Sequence, residues 1–178
     1  MEKTAKEIIR IAVVGPECTG KSTISAQLAK HYKTNYVPEF AREYLAHLHR
    51  PYTLDDIVEI SKGQMRTEDE ISSSANKLLI CDTNLVVTKI WAEFKYKQCP
   101  EWIKEHITKR KYALHLLTYP DIPWQEDPLR EHPHLREELF ELYKKELDIQ
   151  SVPYIIISGP PEERLQKAIT AIEVIIKN

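Results

Sequence analysis

The segment Gly15-Pro16-Glu17-Cys18-Thr19-Gly20-Lys21-Ser22 satisfies the spacing G-x-x-x-x-G-K-[ST] at every required position, and Thr23 follows it. The chemistry served by this spacing is the grip of a polyphosphate. Phosphates concentrate negative charge, and successive backbone N–H groups in a tight loop can be aimed at them together. Gly15 and Gly20 permit the backbone angles and the close approach that such a loop needs. The helix that follows turns the positive end of its dipole on the same anion. Lys21 is then placed to neutralise β/γ-phosphate oxygens of ATP, and the Ser22 hydroxyl to ligate Mg²⁺.

Phosphoryl transfer also calls for an acid at the end of another strand. Asp82 fits, because the apolar run Leu78-Leu79-Ile80-Cys81 delivers it to the sheet edge where ligands of open α/β sheets bind. It could hold Mg²⁺; the competing role is to cap the helix that begins near Asn84. A hydroxyl acceptor is a poor nucleophile, so a carboxylate should orient it and take its proton. Glu39, after the second strand candidate, and Asp82 are the two candidates for that base. Arg42 lies close enough on a helix to share a face with Glu39, to serve substrate or to form an exposed ion pair. The proline-rich segment 120–133 occupies the place of a lid, which would exclude water during transfer. Within it Arg130 could stabilise charge on the moving phosphoryl group, and Trp124 could stack on a flat base. An ordinary surface loop is the alternative.

The elements that must position these residues alternate along the chain. Ile8–Val14, Tyr36–Glu39, Leu78–Cys81, Tyr112–Leu117 and Tyr154–Ile157 read as strands, apolar enough for both sheet faces to be covered. Pro38 weakens the second. Helical patterns fill Ser22–Tyr32, Asn84–Lys97 and Leu135–Leu147, and another opens near Pro161 with Glu162 and Glu163 at its positive end. Thr53-x-x-Asp56 reads as a capping box opening a helix toward Ser73. The expectation is an α/β fold, helices sandwiching a mainly parallel five-stranded sheet, as a single domain over residues 1–178.

Composition narrows the classes. Lys and Arg number 25 against 27 Asp and Glu, without the basic surplus of a nucleic-acid-coating protein. Cys18, Cys81 and Cys99 form no Cys-x-x-Cys pair, which predicts reduced thiols in the cytoplasm. No apolar run approaches the roughly 20 residues of a membrane span. The start, Met1 to Glu7, lacks a signal-peptide core. His47 with His49, and His132 with His134, are two apart and make poor metal pairs on a helix. Trp91 and Trp102 read as packing residues.

Four blocks in order resemble a known family: the phosphate loop with Thr23, then Pro38-Glu39-Phe40-Ala41-Arg42-Glu43-Tyr44, then Cys81-Asp82-Thr83, then Pro123-Trp124-x-x-Asp127-x-Leu129-Arg130. The chain resembles the ribosylnicotinamide kinase domain of NadR-type NAD-biosynthesis proteins, P-loop nucleoside kinases with a three-layer α/β/α sandwich. The resemblance implies Mg²⁺- and ATP-dependent phosphorylation of the ribose 5′-hydroxyl of nicotinamide riboside, with Glu39, Arg42, Asp82, Trp124 and Asp127 around the substrate. In this fold the turn at Gly159 binds the adenine edge. Pro128 departs from the family's lid, which carries glycine there, and Asn84 stands where an acid often does. With seven residues before the first strand and no His-x-Gly-His block, adenylylation and transcriptional control are not expected. A nucleotide acceptor would instead need converging arginines, for which Arg42, Arg66 and Arg110 are candidates. A switch whose partners read its nucleotide state is the reading from outside enzymes. A homo-oligomer stays open.

Overall fold

A computed structural model describes residues 7–178; the segment read as lacking a signal-peptide core lies mostly outside these residues. The strands are β1 (Ile9–Val14), β2 (Tyr36–Val37), β3 (Leu78–Asp82), β4 (Leu114–Thr118) and β5 (Tyr154–Ile157). The helices are α1 (Lys21–His31), α2 (Phe40–Ala46), α3 (Leu54–Ser72), α4 (Leu85–Tyr96), α5 (Glu101–His106), α6 (Arg136–Gln150) and α7 (Pro161–Lys177). The strands form one sheet in the order β2-β3-β1-β4-β5, with every pair parallel.

Successive side chains of a strand point to opposite faces, and β1 uses both. Ile11 and Val13 pack with Ile24 and Leu28 of α1 and Ala168 and Ile172 of α7. Ala12 and Val14 face the other way, against Val86 and Ile90 of α4 and Phe140, Tyr143 and Leu147 of α6. Helices therefore cover both faces in three layers, and this explains why the central strands are apolar without alternation. Arg10, the one charged interruption in β1, is answered by buried Glu68 of α3 at 2.9 Å.

Local signals explain most boundaries. The Thr53–Asp56 capping box is formed, and Asp56 is further held by Arg50 and Tyr44. Those bonds, led by Arg50, push the Asp56 carboxyl well below the usual range. Pro161 starts α7 with Glu162 and Glu163 in its first turn. Two short helices were not bounded from the sequence: α2, where Arg42 was read on a helix with Glu39 but Glu39 is the extended N-cap, and α5; each is under three turns and takes its stability from neighbours rather than propensity. The topology puts β1 between β3 and β4, and chain departures from β1 to these two neighbours open a crevice at the carboxyl edge.

The α2–α3 contact is tight. A Cβ at Gly63 would collide with the ring of Phe40. Gly63→Ala should therefore destabilise the protein by about 1–3 kcal/mol through overpacking, although alanine favours an isolated helix by about 1 kcal/mol. Urea denaturation checks this, and a rise in midpoint would contradict it.

Candidate functional site

The turn after β1 is built as an anion cradle. Gly15 has φ 144° and Gly20 φ 82°, and a Cβ at Gly15 would run into Thr118 of β4. Among the described residues, no backbone N–H from Cys18 through Thr23 is taken up within the protein. The carbonyls of the same loop, in contrast, are engaged. Pro16 O accepts the Lys21 Nζ and the Thr19 hydroxyl, each at 2.8 Å. Cys18 O accepts Arg136 at 2.9 Å and Thr19 O accepts Arg164 at 2.8 Å. The amides are left pointing inward at the head of α1, where its dipole adds positive potential.

Arg164, only 4% exposed, joins four parts of the edge. Besides Thr19 O, it donates to Gly159 O at 2.8 Å and Tyr119 O at 2.8 Å, and it pairs with Asp121. Asp121 in turn accepts the Gly159 N–H at 2.7 Å. The loops after β4 and β5 are thus fixed against the cradle.

Asp82 ends β3 beside the cradle, 2% exposed, with Oδ2 accepting the Ser22 hydroxyl at 2.6 Å. Its other oxygen, Oδ1, is buried without a partner. Burial, then the nearby Glu39 carboxylate, pushes its pKa up to about 6. A buried carboxylate with one bare oxygen next to a hydroxyl fits a divalent cation. Among the described residues no cluster of three His, Cys, Asp or Glu side chains is found here. Ser22 and Asp82 would therefore be the protein's share, as suits Mg²⁺, which takes one or two protein ligands and completes its shell with phosphate and water. The competing role for Asp82 as helix cap falls to Asn84, whose Oδ1 accepts the Val86 N–H at 3.0 Å.

Two cavities meet at this point. The first is polar and is lined by the loop from Glu17 to Thr23 together with Glu39, Arg42, Leu129 and Arg130. The second, about 110 Å³, is mostly apolar and shares Glu17, Lys21 and Leu129 with the first. Its walls include Tyr52, Trp91, Phe94 and Tyr143, with Glu131 and His132 at one side. Tyr52 is a hub there: its hydroxyl receives Trp91 Nε1 at 3.1 Å and Lys95 at 2.6 Å and donates to Glu131 at 2.8 Å. Burial, with Glu39 and Glu17 adding to it, raises the Tyr143 phenol far above its ordinary range.

The irregular segment 120–133 lies against the cradle at several points. Glu17 accepts the amides of Glu131 and His132, each at 3.0 Å for the shorter contact. Cys18 Sγ accepts the Gln125 N–H at 3.3 Å. From the other side, Arg42 of α2 pairs with Asp127 at 2.9 Å. The Leu129 N–H, then Arg42, lower the Asp127 pKa.

Residues 10–164 match the AAA-domain family, most of the chain. The chain belongs to the AAA-domain family. Within it, this AAA domain resembles the trifunctional NAD biosynthesis/regulator protein NadR of Salmonella typhimurium (strain LT2), at 28% identity over 125 residues. That match takes in 67% of this chain and 30% of the relative, so the chain spans under a third of the curated relative's length. In three dimensions it resembles the NadR protein crystallised in complex with NR, at a TM-score of 0.81 and 21% identity, over 93% of this chain and 51% of that one. A deoxyadenosine kinase from M. mycoides follows at a TM-score of 0.62 and 12% identity, over 93% of this chain and all of its own (100%). The resemblance read from the sequence blocks is borne out, as is the three-layer fold of nucleoside and nucleotide kinases.

In this AAA domain the predicted residues do not all gather in one place. Lys21, Ser22, Glu39, Arg42, Asp82 and Arg130 surround the polar cavity or its floor. Arg130 donates to Gln125 O at 2.5 Å within the same segment. Asp127 is taken up by Arg42 and by the Leu129 amide. Trp124 lies outside the apolar pocket, its ring centroid 5.9 Å from the Arg130 guanidinium and 5.6 Å from that of Arg136, and its Nε1 on Glu126 at 3.0 Å. The Gly159 amide is committed to Asp121, so Gly159 serves the edge through its turn rather than by a bare N–H. Trp91, read as packing, packs against the Ile57, Ala92 and Ile103 cluster and also lines the apolar pocket. Arg164, Arg136 and Tyr52 were missed. Only the pocket wall left a trace in the sequence: Val87, Trp91 and Phe94 widen the apolar side of α4 beyond the stripe that its sheet contact needs.

The Asp82 shift carries a signed prediction. With a folded pKa of about 6 against 3.8 for an unperturbed aspartate, the folded protein keeps a proton that the unfolded chain has released. Stability therefore falls as pH rises through that interval and stays lower above it. Asp82→Asn should stabilise the nucleotide-free, Mg²⁺-free protein at pH 7.5 by about 2–3 kcal/mol. The gain should vanish near pH 3.8, where the carboxyl of the unfolded chain titrates. Thermal melts across pH measure this, and equal melting points at pH 7.5 would contradict it.

Proposed function

We propose that this protein is an ATP-dependent kinase that phosphorylates the ribose 5′-hydroxyl of a pyridinium nucleoside, nicotinamide riboside first, to give nicotinamide mononucleotide. One observation carries the reading. A pocket walled by Tyr52, Trp91, Phe94 and Tyr143 opens onto Lys21 of the phosphate cradle and carries two carboxylates, Glu17 and Glu131, but no arginine. Aromatic faces with nearby carboxylates suit a flat ring bearing positive charge, as the riboside's pyridinium does. The likeness to the NadR protein solved with NR supports the same acceptor.

The polar cavity would take the ATP triphosphate, with the loop amides around it and Lys21 on its β/γ-oxygens. Ser22 and Asp82 would hold Mg²⁺, which when bound offsets charge on the phosphates. Glu39 is the better base. Asp82 is tied to Ser22 and has the burial of a cation ligand, whereas Glu39 is half-exposed on the cavity wall and free to orient a hydroxyl. Arg42 and Arg130, on opposite elements of the same wall, are placed to stabilise charge on the moving phosphoryl group. Segment 120–133, laid over the cradle through Glu17 and Asp127, would keep water from the transfer. These residues make up one proposed domain, in which the chain's other helices serve the sheet.

A nucleotide acceptor is the second reading, and it needs arginines converging on its phosphate. Arg110 lines a different cavity and pairs with Glu68 and Asp69, and Arg66 lines none of the pockets around the cradle. The observation favours a nucleoside.

An acceptor panel of ribosides, deoxyribosides and monophosphates with Mg·ATP, read by mass spectrometry, should give nicotinamide riboside 5′-phosphate as the main product. Phosphorylation confined to monophosphates would overturn the acceptor, and steady ATP hydrolysis without any phosphorylated product would overturn the kinase. Lys21→Ala should lower kcat/KM by about 10²–10³-fold with an unchanged circular dichroism spectrum. Glu39→Gln should lower kcat by about 10²–10⁴-fold with little change in the KM for ATP, while Asp82→Asn should raise the Mg²⁺ needed for half-maximal rate. The reverse pattern would exchange the roles of the two acids.

A further inference from the structure

The two carboxylates of the aromatic pocket are held in different ways. Glu17 is committed to backbone: it accepts the Glu131 and His132 N–H groups, each at 3.0 Å. The Glu131 side chain takes no backbone donor among the described residues. Both of its oxygens share one proton, that of the Tyr52 hydroxyl, at 2.8 and 2.9 Å. A carboxylate offers about four lone-pair sites, so one shared proton leaves most of its charge unanswered. Tyr52 is part of the pocket wall, and Glu131 is therefore fixed at the edge of that wall.

Lys95 opposes this charge from outside the pocket. Its ammonium donates to the Tyr52 hydroxyl at 2.6 Å and lies 3.4 Å from Glu131. It lines a neighbouring cavity of about 330 Å³, which shares Tyr52 and Glu131 with the aromatic pocket. It does not line the pocket itself. A ring bound in the pocket thus meets Glu131 directly and Lys95 only past Tyr52. Because attraction falls with distance, the pair presents the sign of Glu131, reduced by Lys95. The other cations nearby are turned elsewhere. Arg50, in the neighbouring cavity, pairs with Asp56 at 2.7 Å. Lys21 donates to Pro16 O of the cradle at 2.8 Å.

We propose that Glu131 selects a positively charged ring in the acceptor pocket, and that Lys95 sets the strength of that selection by opposing it from beyond Tyr52. This selection rests on the riboside reading above, and it assigns the choice to one of the pocket's two carboxylates. Neither residue lines the polar cavity proposed for the triphosphate. Their substitution should therefore alter the choice of acceptor and leave the KM for ATP in place.

Nicotinamide riboside and its 1,4-dihydro form differ by one hydride, which removes the ring's positive charge and nearly preserves its outline. The test measures kcat/KM for both with Mg·ATP and the whole chain, in mildly alkaline buffer where the dihydro form lasts. The aromatic wall also favours the cation, so the readout is the change in the charged-to-uncharged ratio on substitution. Glu131→Gln, which keeps an acceptor for the Tyr52 hydroxyl, should lower the ratio by about three- to tenfold. Lys95→Met, which keeps an unbranched apolar stem, should raise it by about two- to fivefold. Mere loss of the bonds around Tyr52 would slow both acceptors alike or push both ratios the same way. A ratio unmoved in Glu131→Gln, or shifted in one direction by both variants, would overturn the proposal. The Glu131 and Lys95 side chains are 34% and 36% exposed, and if one variant fails to fold the other decides by its own sign. Phosphorylation of neither riboside by the unaltered protein would remove the acceptor reading and this selection together. Phosphorylation with an unmoved ratio would remove the selection alone.

Discussion

A loop that turns its amides inward toward an anion must turn its carbonyls outward, and those carbonyls need donors wherever water is excluded. The site depends on how that need is met. Pro16 O takes the Lys21 ammonium and the Thr19 hydroxyl, Cys18 O takes Arg136, and Thr19 O takes Arg164. Three cations thus grip the outside of the cradle from α1, α6 and α7. They raise the positive potential inside it, and they hold its shape through bonds that do not require a nucleotide. Preorganisation of this kind avoids reorganisation when charge moves. Lys21 is the one of the three whose grip is local, so the phosphate contact proposed for it would leave the bonds to α6 and α7 in place.

Asp82 is the opposite constraint. Its carboxylate is buried with one oxygen bare, beside Glu39 of like charge, and the protein tolerates the cost. The turn that follows is also strained, for Thr83 has φ 75° without being glycine. Strain and an unmatched charge at adjacent residues, where a sheet edge meets the loop after β1, support the role proposed for Asp82. Asn84 leaves Asp82 free for this by taking the helix cap that an aspartate could otherwise have supplied.

What the sequence made legible follows the range of the interactions. The five strands and the long helices could be read because their signals are local: apolar runs, a Thr53–Asp56 box, Pro161 before two glutamates. Lys21 and Ser22 could be placed by the spacing of the loop after β1, and Asp82 by the apolar strand that ends at it. The short helix α2, by contrast, rests on α3 through Phe40 at Gly63, a contact that no local pattern signals. Arg164 looks like an ordinary first-turn residue of α7, yet three of its four bonds reach segments distant in the chain. Trp124 was the flat ring most visible in the segment 120–133, yet the tertiary fold sets it near Arg130 and Arg136 and gives the pocket wall to Tyr52 and Trp91. Pairwise spacing cannot rank aromatic residues by which cavity they reach.

The attachment of segment 120–133 has a consequence for how the two proposed substrates communicate. Its anchors come from both sides of the polar cavity, Asp127 to Arg42 of α2 and the amides of Glu131 and His132 to Glu17. Glu17 is itself a residue of the phosphate loop, and Glu131 also holds the Tyr52 hydroxyl in the apolar pocket. Two hydrogen-bonded steps, Glu17 to the Glu131 backbone and the Glu131 side chain to Tyr52, therefore connect the loop to the wall of the apolar pocket. Pro128, where the resembling family keeps glycine, lies between the two anchors and limits how far the segment can bend. Asp127 and Glu131 thus tie one segment to both cavities, and any coupling between the proposed nucleotide and acceptor sites would have this hydrogen-bonded route available to it.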